Sequence, residues 1–135
     1  MVDVFVPQHF HLMFKGSPQS TFTDPEIAKQ MLLELVAAVG MVPVTVPQAH
    51  YVAVPGNEGL TGSINLATSH IAFHCWDNTP LLQFDLYSCC SFNIEAVMHV
   101  LNKYYSSFSS YKYRLIDRMT FDVIEASENI GQVYR

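Results

Sequence analysis

Apolar and polar positions alternate most regularly across the middle of the chain. The run from Gly59 to Trp76 reads as strand, and so does Leu81 to Cys90. Between them lies Asp77-Asn-Thr-Pro80, whose Asn78 and Pro80 are turn formers, so the pair is expected to be a β-hairpin with a four-residue loop. Setting Trp76 opposite Leu81 places His74 opposite Gln83, Ala72 opposite Asp85, His70 opposite Tyr87 and Thr68 opposite Cys89. Those residues share one sheet face; Ile71, Phe73 and Cys75 share the other with Leu82, Phe84 and Leu86. The second face needs a covering layer, and a slip of one residue would put it in water. Opposed residues lie about 5 Å apart, so the register brings Cys89 close to the Thr68–Ser69 peptide bond.

The flanking segments supply that cover. Gln8 to Lys15 reads as a first strand. Thr23-Asp-Pro-Glu26 is a helix start, with Thr23 as the cap, Pro25 early in the helix and Glu26 reaching back. Ile27, Met31, Leu35 and Val39 then recur at helical spacing, widened by Leu32, Val36 and Ala38, and Gly40 is the stop. Val42 to Val54 is a strand region broken up by Pro43, Pro47 and Pro55, hence an edge or a bent strand. Gly56-Asn-Glu-Gly59 is a turn. Ser91 or Asn93 can cap a second helix through Ile94, Val97, Met98 and Leu101. A polar break at Ser106 to Ser110, one or two strands from Tyr111 to Val123 and a loose tail from Glu125 complete the chain. The order β, α, β, β, β, α, β predicts an α+β two-layer sandwich, mostly antiparallel sheet with helices on one face, as a single domain over residues 1–135.

Composition narrows the partners. Half of the 135 residues are hydrophobic and only 14% are charged, which suits a molecule that hides one face against another chain. A net charge of -5 with no basic run argues against nucleic acid. No apolar stretch approaches the roughly 20 residues of a membrane span. The Met-Val-Asp-Val-Phe start carries no basic segment ahead of a long apolar region, so no signal peptide is expected. Three cysteines, two of them adjacent, make a poor disulfide framework and fit a reducing cytoplasm. His9 and His11 share a strand face, but nearby sequence fixes no third ligand, so no metal is expected.

The chemistry-bearing residues then invite comparison. Thr68-Ser69-His70-Ile-Ala-Phe-His74-Cys-Trp76, followed by Phe84-Asp85-Leu-Tyr-Ser-Cys89, resembles the prokaryotic-type S-adenosylmethionine decarboxylase proenzymes. That resemblance implies cleavage before Ser69, which becomes a pyruvoyl cofactor, with His74 as the processing histidine and Cys89 as the catalytic acid. Gly59-Leu-Thr-Gly62 is similar to the family's Gly-x-Ser-Gly, so Thr61 would supply a hydroxyl that assists processing. The resemblance further implies Tyr51 as a ring for adenine, Trp76 and Asp77 at the substrate, a homodimer meeting through the uncovered sheet face, and a place in spermidine synthesis. Two positions depart from the family pattern. Thr68 stands where Glu is usual, and Trp76-Asp77-Asn78 replaces Trp-Pro-Glu, which bears on ribose recognition.

The mechanism so implied is concrete. Ser69 Oγ would attack the Thr68 carbonyl, and His74, whose side chain titrates near neutrality, would act as base or proton relay. The new ketone would form a Schiff base with the substrate amine and accept the electrons that CO₂ leaves behind. Ser69 and His74 are an odd number of residues apart, so a straight strand points them to opposite faces, and joint action demands a bend or bulge near Ser69. Two other functions are consistent with the residues: a non-catalytic homologue that stays uncut and binds a small ligand, and a pyruvoyl decarboxylase of ornithine or arginine.

Overall fold

A computed structural model describes residues 9–129. Seven strands form one antiparallel sheet in the order β2-β3-β4-β5-β1-β6-β7. The strands are β1 (Phe10–Pro18), β2 (Gln48–Val52), β3 (Gly59–Leu66), β4 (Ser69–Trp76), β5 (Leu81–Ser88), β6 (Phe108–Asp117) and β7 (Val123–Asn129). Helices α1 (Pro25–Val39) and α2 (Ile94–Tyr105) bury their apolar sides on one sheet face, as the two-layer expectation requires.

The β4–β5 register is the one the alternation dictates: Trp76 faces Leu81, His74 faces Gln83, Ala72 faces Asp85 and His70 faces Tyr87. Ile71, Phe73, Leu82, Phe84 and Leu86 are buried, and Phe73 lies directly opposite Phe84. Each such side chain contributes roughly 1.5–3 kcal/mol by leaving water, so the oily face fixes the register. The helices close it with Met31, Leu32, Leu35 and Val36 from α1 and Val97 and Leu101 from α2.

Several local expectations are corrected. The run from Gly59 to Trp76 is two strands, β3 and β4, joined by a two-residue turn at Ala67–Thr68, with Leu66 paired to Ser69. The helix cap is Asp24, not Thr23: Asp24 precedes Pro25, which pushes it extended, and its carboxylate accepts the Glu26 N–H at 2.9 Å. Glu26 pairs with Lys29 at 2.9 Å instead of reaching back. Ile27 is exposed and Ala28 takes the buried position. Only Gln48–Val52 of the proline-interrupted region is strand, and it is an edge strand. Asn93 caps α2. The polar break shortens to Ser106 and Ser107, both at positive φ, because β6 starts at Phe108. Residues 125–129 of the expected loose tail belong to β7; residues 130–135, like residue 8 of the first strand and the N-terminal residues, lie outside the described residues.

Candidate active site

Two glycines shape the strand that carries Thr61. A Cβ on Gly59 would stand 1.7 Å from the Cys75 carbonyl oxygen, and one on Gly62 would stand 2.5 Å from the Phe73 ring. Both positions must therefore be glycine for β3 to lie this close to β4. Thr61, between them, is paired with His74 across the ladder, and its Oγ1 lies 3.0 Å from His74 Nδ1. Trp76 follows on the same open face, its ring 6.1 Å from that of His74.

The turn at Ala67–Thr68 holds the second group. Thr68 has φ 60°, the left-handed region, where a β-branched residue is strained by about 1–3 kcal/mol. The strain sits in the residue immediately before Ser69. Backbone contacts brace the turn: the Ala67 N–H donates to the Val42 carbonyl at 2.9 Å, and Pro43 bridges to Leu66. Ser69 is buried, and its Oγ accepts a hydrogen bond from the Cys89 N–H at 3.0 Å. The Cys89 thiol is half-buried, 4.0 Å from the Ala67 carbonyl oxygen. The Thr68 and Ser69 hydroxyls beside it lower its pKa below the usual thiol range. Cys75, by contrast, is in the core, where burial pushes its thiol up to about 11.

His74 does not join Ser69 within one chain. The bend falls at Thr68, before Ser69, and β4 pairs without a bulge from Ser69 to Trp76 with β3 and from His70 to Trp76 with β5. Ser69 points into the core and His74 to the open face. Five residues of strand separate them by about 16 Å. The expected meeting of the three groups is thus corrected: the alcohol and thiol are together, and the imidazole is elsewhere with Thr61.

Tyr51 and Asp77 lie apart from Trp76. Alternation puts Tyr51 on the helix side of the edge strand, opposite Leu60, and its hydroxyl donates to Asp77 Oδ2 at 2.6 Å. That carboxylate raises the Tyr51 pKa. Asp77 Oδ1 is buried with no hydrogen-bond partner among the described residues. Trp76 instead donates from Nε1 to Asn57 Oδ1 at 3.3 Å, and Asn78 Nδ2 donates to Glu58 Oε1 at 3.0 Å. The sequence marked the segment holding Asn57 and Glu58 only as a turn; no periodic signal singles them out.

The rest of the open face is also occupied by contacts that alternation alone does not specify. His70 stacks on Tyr87 with centroids 5.3 Å apart, and the Arg118 guanidinium sits 4.7 Å from the centre of that ring. His9 Nδ1 is 3.2 Å from the Tyr87 hydroxyl, and His11 pairs with Asp85 at 2.9 Å. Among the described residues no three His, Cys, Asp or Glu side chains are grouped to hold a metal ion, and no helix is long and apolar enough to cross a membrane.

Comparison with known proteins adds three findings. The family model for S-adenosylmethionine decarboxylase matches residues 8–119. The arginine decarboxylase proenzyme of Aeropyrum pernix is 30% identical over 88 residues, which cover 64% of this chain and 64% of that protein's length. The crystal structure of the adenosylmethionine decarboxylase from Aquifex aeolicus VF5 aligns with a TM-score of 0.66 at 18% identity, over 91% of this chain and 98% of that one, a likeness of fold.

Proposed function

The chain belongs to the S-adenosylmethionine decarboxylase family, and from that premise we propose that it is a self-processing, pyruvoyl-dependent amino-acid decarboxylase, cut between Thr68 and Ser69. One observation carries the reading: a buried serine hydroxyl held by the Cys89 N–H, directly after a strained left-handed threonine. The whole of residues 1–135 is read as one domain of this kind.

In processing, Ser69 Oγ attacks the Thr68 carbonyl carbon. The C–N bond between the two residues breaks and an ester C–O bond forms. Strain at Thr68 raises the starting state and is released as the turn opens. Removal of the Ser69 α-proton expels Thr68 as a carboxylate. Water then replaces the nitrogen at position 69, which leaves as ammonia, and a pyruvoyl group remains. The surroundings of Ser69 fit that group: a backbone N–H and a thiol of lowered pKa lie beside position 69 and no charged side chain is needed to form it. The pyruvoyl group supplies an electron-poor carbonyl that takes up the electron pair left when CO₂ departs. Cys89, whose N–H already holds the Ser69 hydroxyl, then returns a proton to the carbon that lost CO₂.

The proton relay comes from a second copy. Strand geometry keeps His74 about 16 Å from its own Ser69. A homodimer joined through the open sheet faces supplies the Thr61–His74 pair of one subunit to the exposed Thr68 turn that precedes Ser69 in the other. The low charge content and the row of His, Tyr, Trp and Gln side chains on that face favour its burial.

S-adenosylmethionine, the family's substrate, is one candidate for the reaction, and its product would feed spermidine synthesis. A basic amino acid is the other. It is favoured by the position of Asp77, whose carboxylate is held by Tyr51 on the helix side of the sheet, away from Trp76. Cleavage is tested on Ser69→Ala, which should stay intact under denaturing conditions while wild type yields two fragments. An intact wild-type chain would favour the uncut, ligand-binding homologue.

A further inference from the structure

Trp76, the chain's one tryptophan, lines two shallow clefts. One, of about 180 Å³, holds Asn57, Thr61 and His74. The other, of about 210 Å³, holds Glu58, Asn78 and Leu81. The bond from Trp76 Nε1 to Asn57 anchors the indole. Glu58 is fixed in the same way: its Oε1 accepts the Gly56 N–H at 3.1 Å and the Asn78 amide at 3.0 Å. Its Oε2 takes no hydrogen bond from a described residue. Neither cleft is lined by a lysine or an arginine.

An aromatic wall and an immobilised carboxylate, one oxygen of which takes no hydrogen bond from a described residue, complement an organic cation where no lysine or arginine lines the cleft. The ring's quadrupole attracts the charge, and the carboxylate accepts charge-assisted hydrogen bonds. Trp76 stands two residues beyond His74 on the same face, about 7 Å along the strand. We infer that the cleft between Glu58 and Trp76 binds the guanidinium or primary ammonium end of a basic amino acid, as the outer subsite of the decarboxylation site that its subunit completes around Ser69 of the second copy. The assignment as a substrate subsite rests on the decarboxylase reading; the binding of the cation does not. Glu58→Gln keeps the acceptor for Gly56 and Asn78 and removes only the charge, so the loop remains supported.

The single tryptophan makes the cleft its own reporter. The purified full chain is titrated with arginine, with agmatine, which lacks the carboxylate, and with citrulline, the neutral isostere of arginine, while Trp76 emission is followed. Arginine and agmatine should give saturable changes, citrulline should bind at least about tenfold more weakly, and Glu58→Gln should weaken arginine and agmatine by a similar factor. Equal binding of citrulline, unchanged binding by Glu58→Gln, or no response to either cation overturns the inference. A chain that binds arginine but is never cut at Thr68–Ser69 refutes the decarboxylase reading and keeps the cation cleft; a cut chain that ignores both cations does the reverse.

Discussion

If the imidazole acts across a dimer, two inactive variants should repair each other. Ser69→Ala keeps His74 but has no nucleophile; His74→Ala keeps the nucleophile but lacks the relay. Alone, the first should not cut, and the second should cut roughly 10²–10⁴-fold more slowly, the usual contribution of a positioned acid or base. The separation of about 16 Å between Ser69 and His74 in one strand leaves no means for a chain to serve itself. With equal amounts co-expressed under different tags, random pairing makes about half of the two-fold dimers mixed, so about half of the His74→Ala chains meet a partner bearing His74. Denaturing electrophoresis of the two tagged chains should therefore show fragmentation of about half of the His74→Ala chains and none of the Ser69→Ala chains. Recovery of mixed dimers with no fragmentation, or wild-type cutting by His74→Ala alone, would refute action in trans.

Other consequences are local. Thr68→Gly removes the penalty of a left-handed β-branched residue, so it should slow cutting by up to about tenfold while raising or preserving stability to urea; faster cutting would show that the turn's strain plays no part. Gly62→Ala drives a methyl to 2.5 Å from Phe73 and 3.0 Å from the Gln48 carbonyl oxygen. It should cost about 1–3 kcal/mol in urea unfolding, and a neutral result would mean that β3 and β4 can separate without loss. Iodoacetamide at neutral pH should label Cys89, whose lowered pKa enlarges its thiolate fraction, and spare Cys75, whose thiol is buried and pushed up to about 11. Labelling of Cys75 before Cys89 would contradict the described environments.

The parts of this fold governed by simple periodicity were legible in the sequence. Phe73, Phe84 and their neighbours fix the β4–β5 pairing because moving them by one residue exposes the whole face. Gly40 ends α1 at φ 68° as a glycine there should. The turn that divides the long run at Ala67–Thr68 was not legible, because it contains neither glycine nor asparagine. It is imposed by the pairing of Leu66 with Ser69 and the bracing from Val42, against the local preference of a β-branched residue. That hidden turn also holds the bond proposed to be cut, and it is the kind of place where local and global preferences part. The proximity of Cys89 to Ser69 followed from register, whereas the distance to His74 turned on whether the strand bent after Ser69, and it does not. The side of the sheet taken by Tyr51 depended on the start of a strand only five residues long, which prolines on either side left undefined.

The central claim concerns one covalent change, and the mass of the downstream fragment tests it most directly. Intact mass spectrometry of freshly purified wild-type protein should find a fragment spanning residues 69–135 that is lighter than its serine-started form by one ammonia, together with a complementary fragment ending at Thr68. A single mass for the uncut chain, or a fragment that begins with unmodified Ser69, would contradict the account.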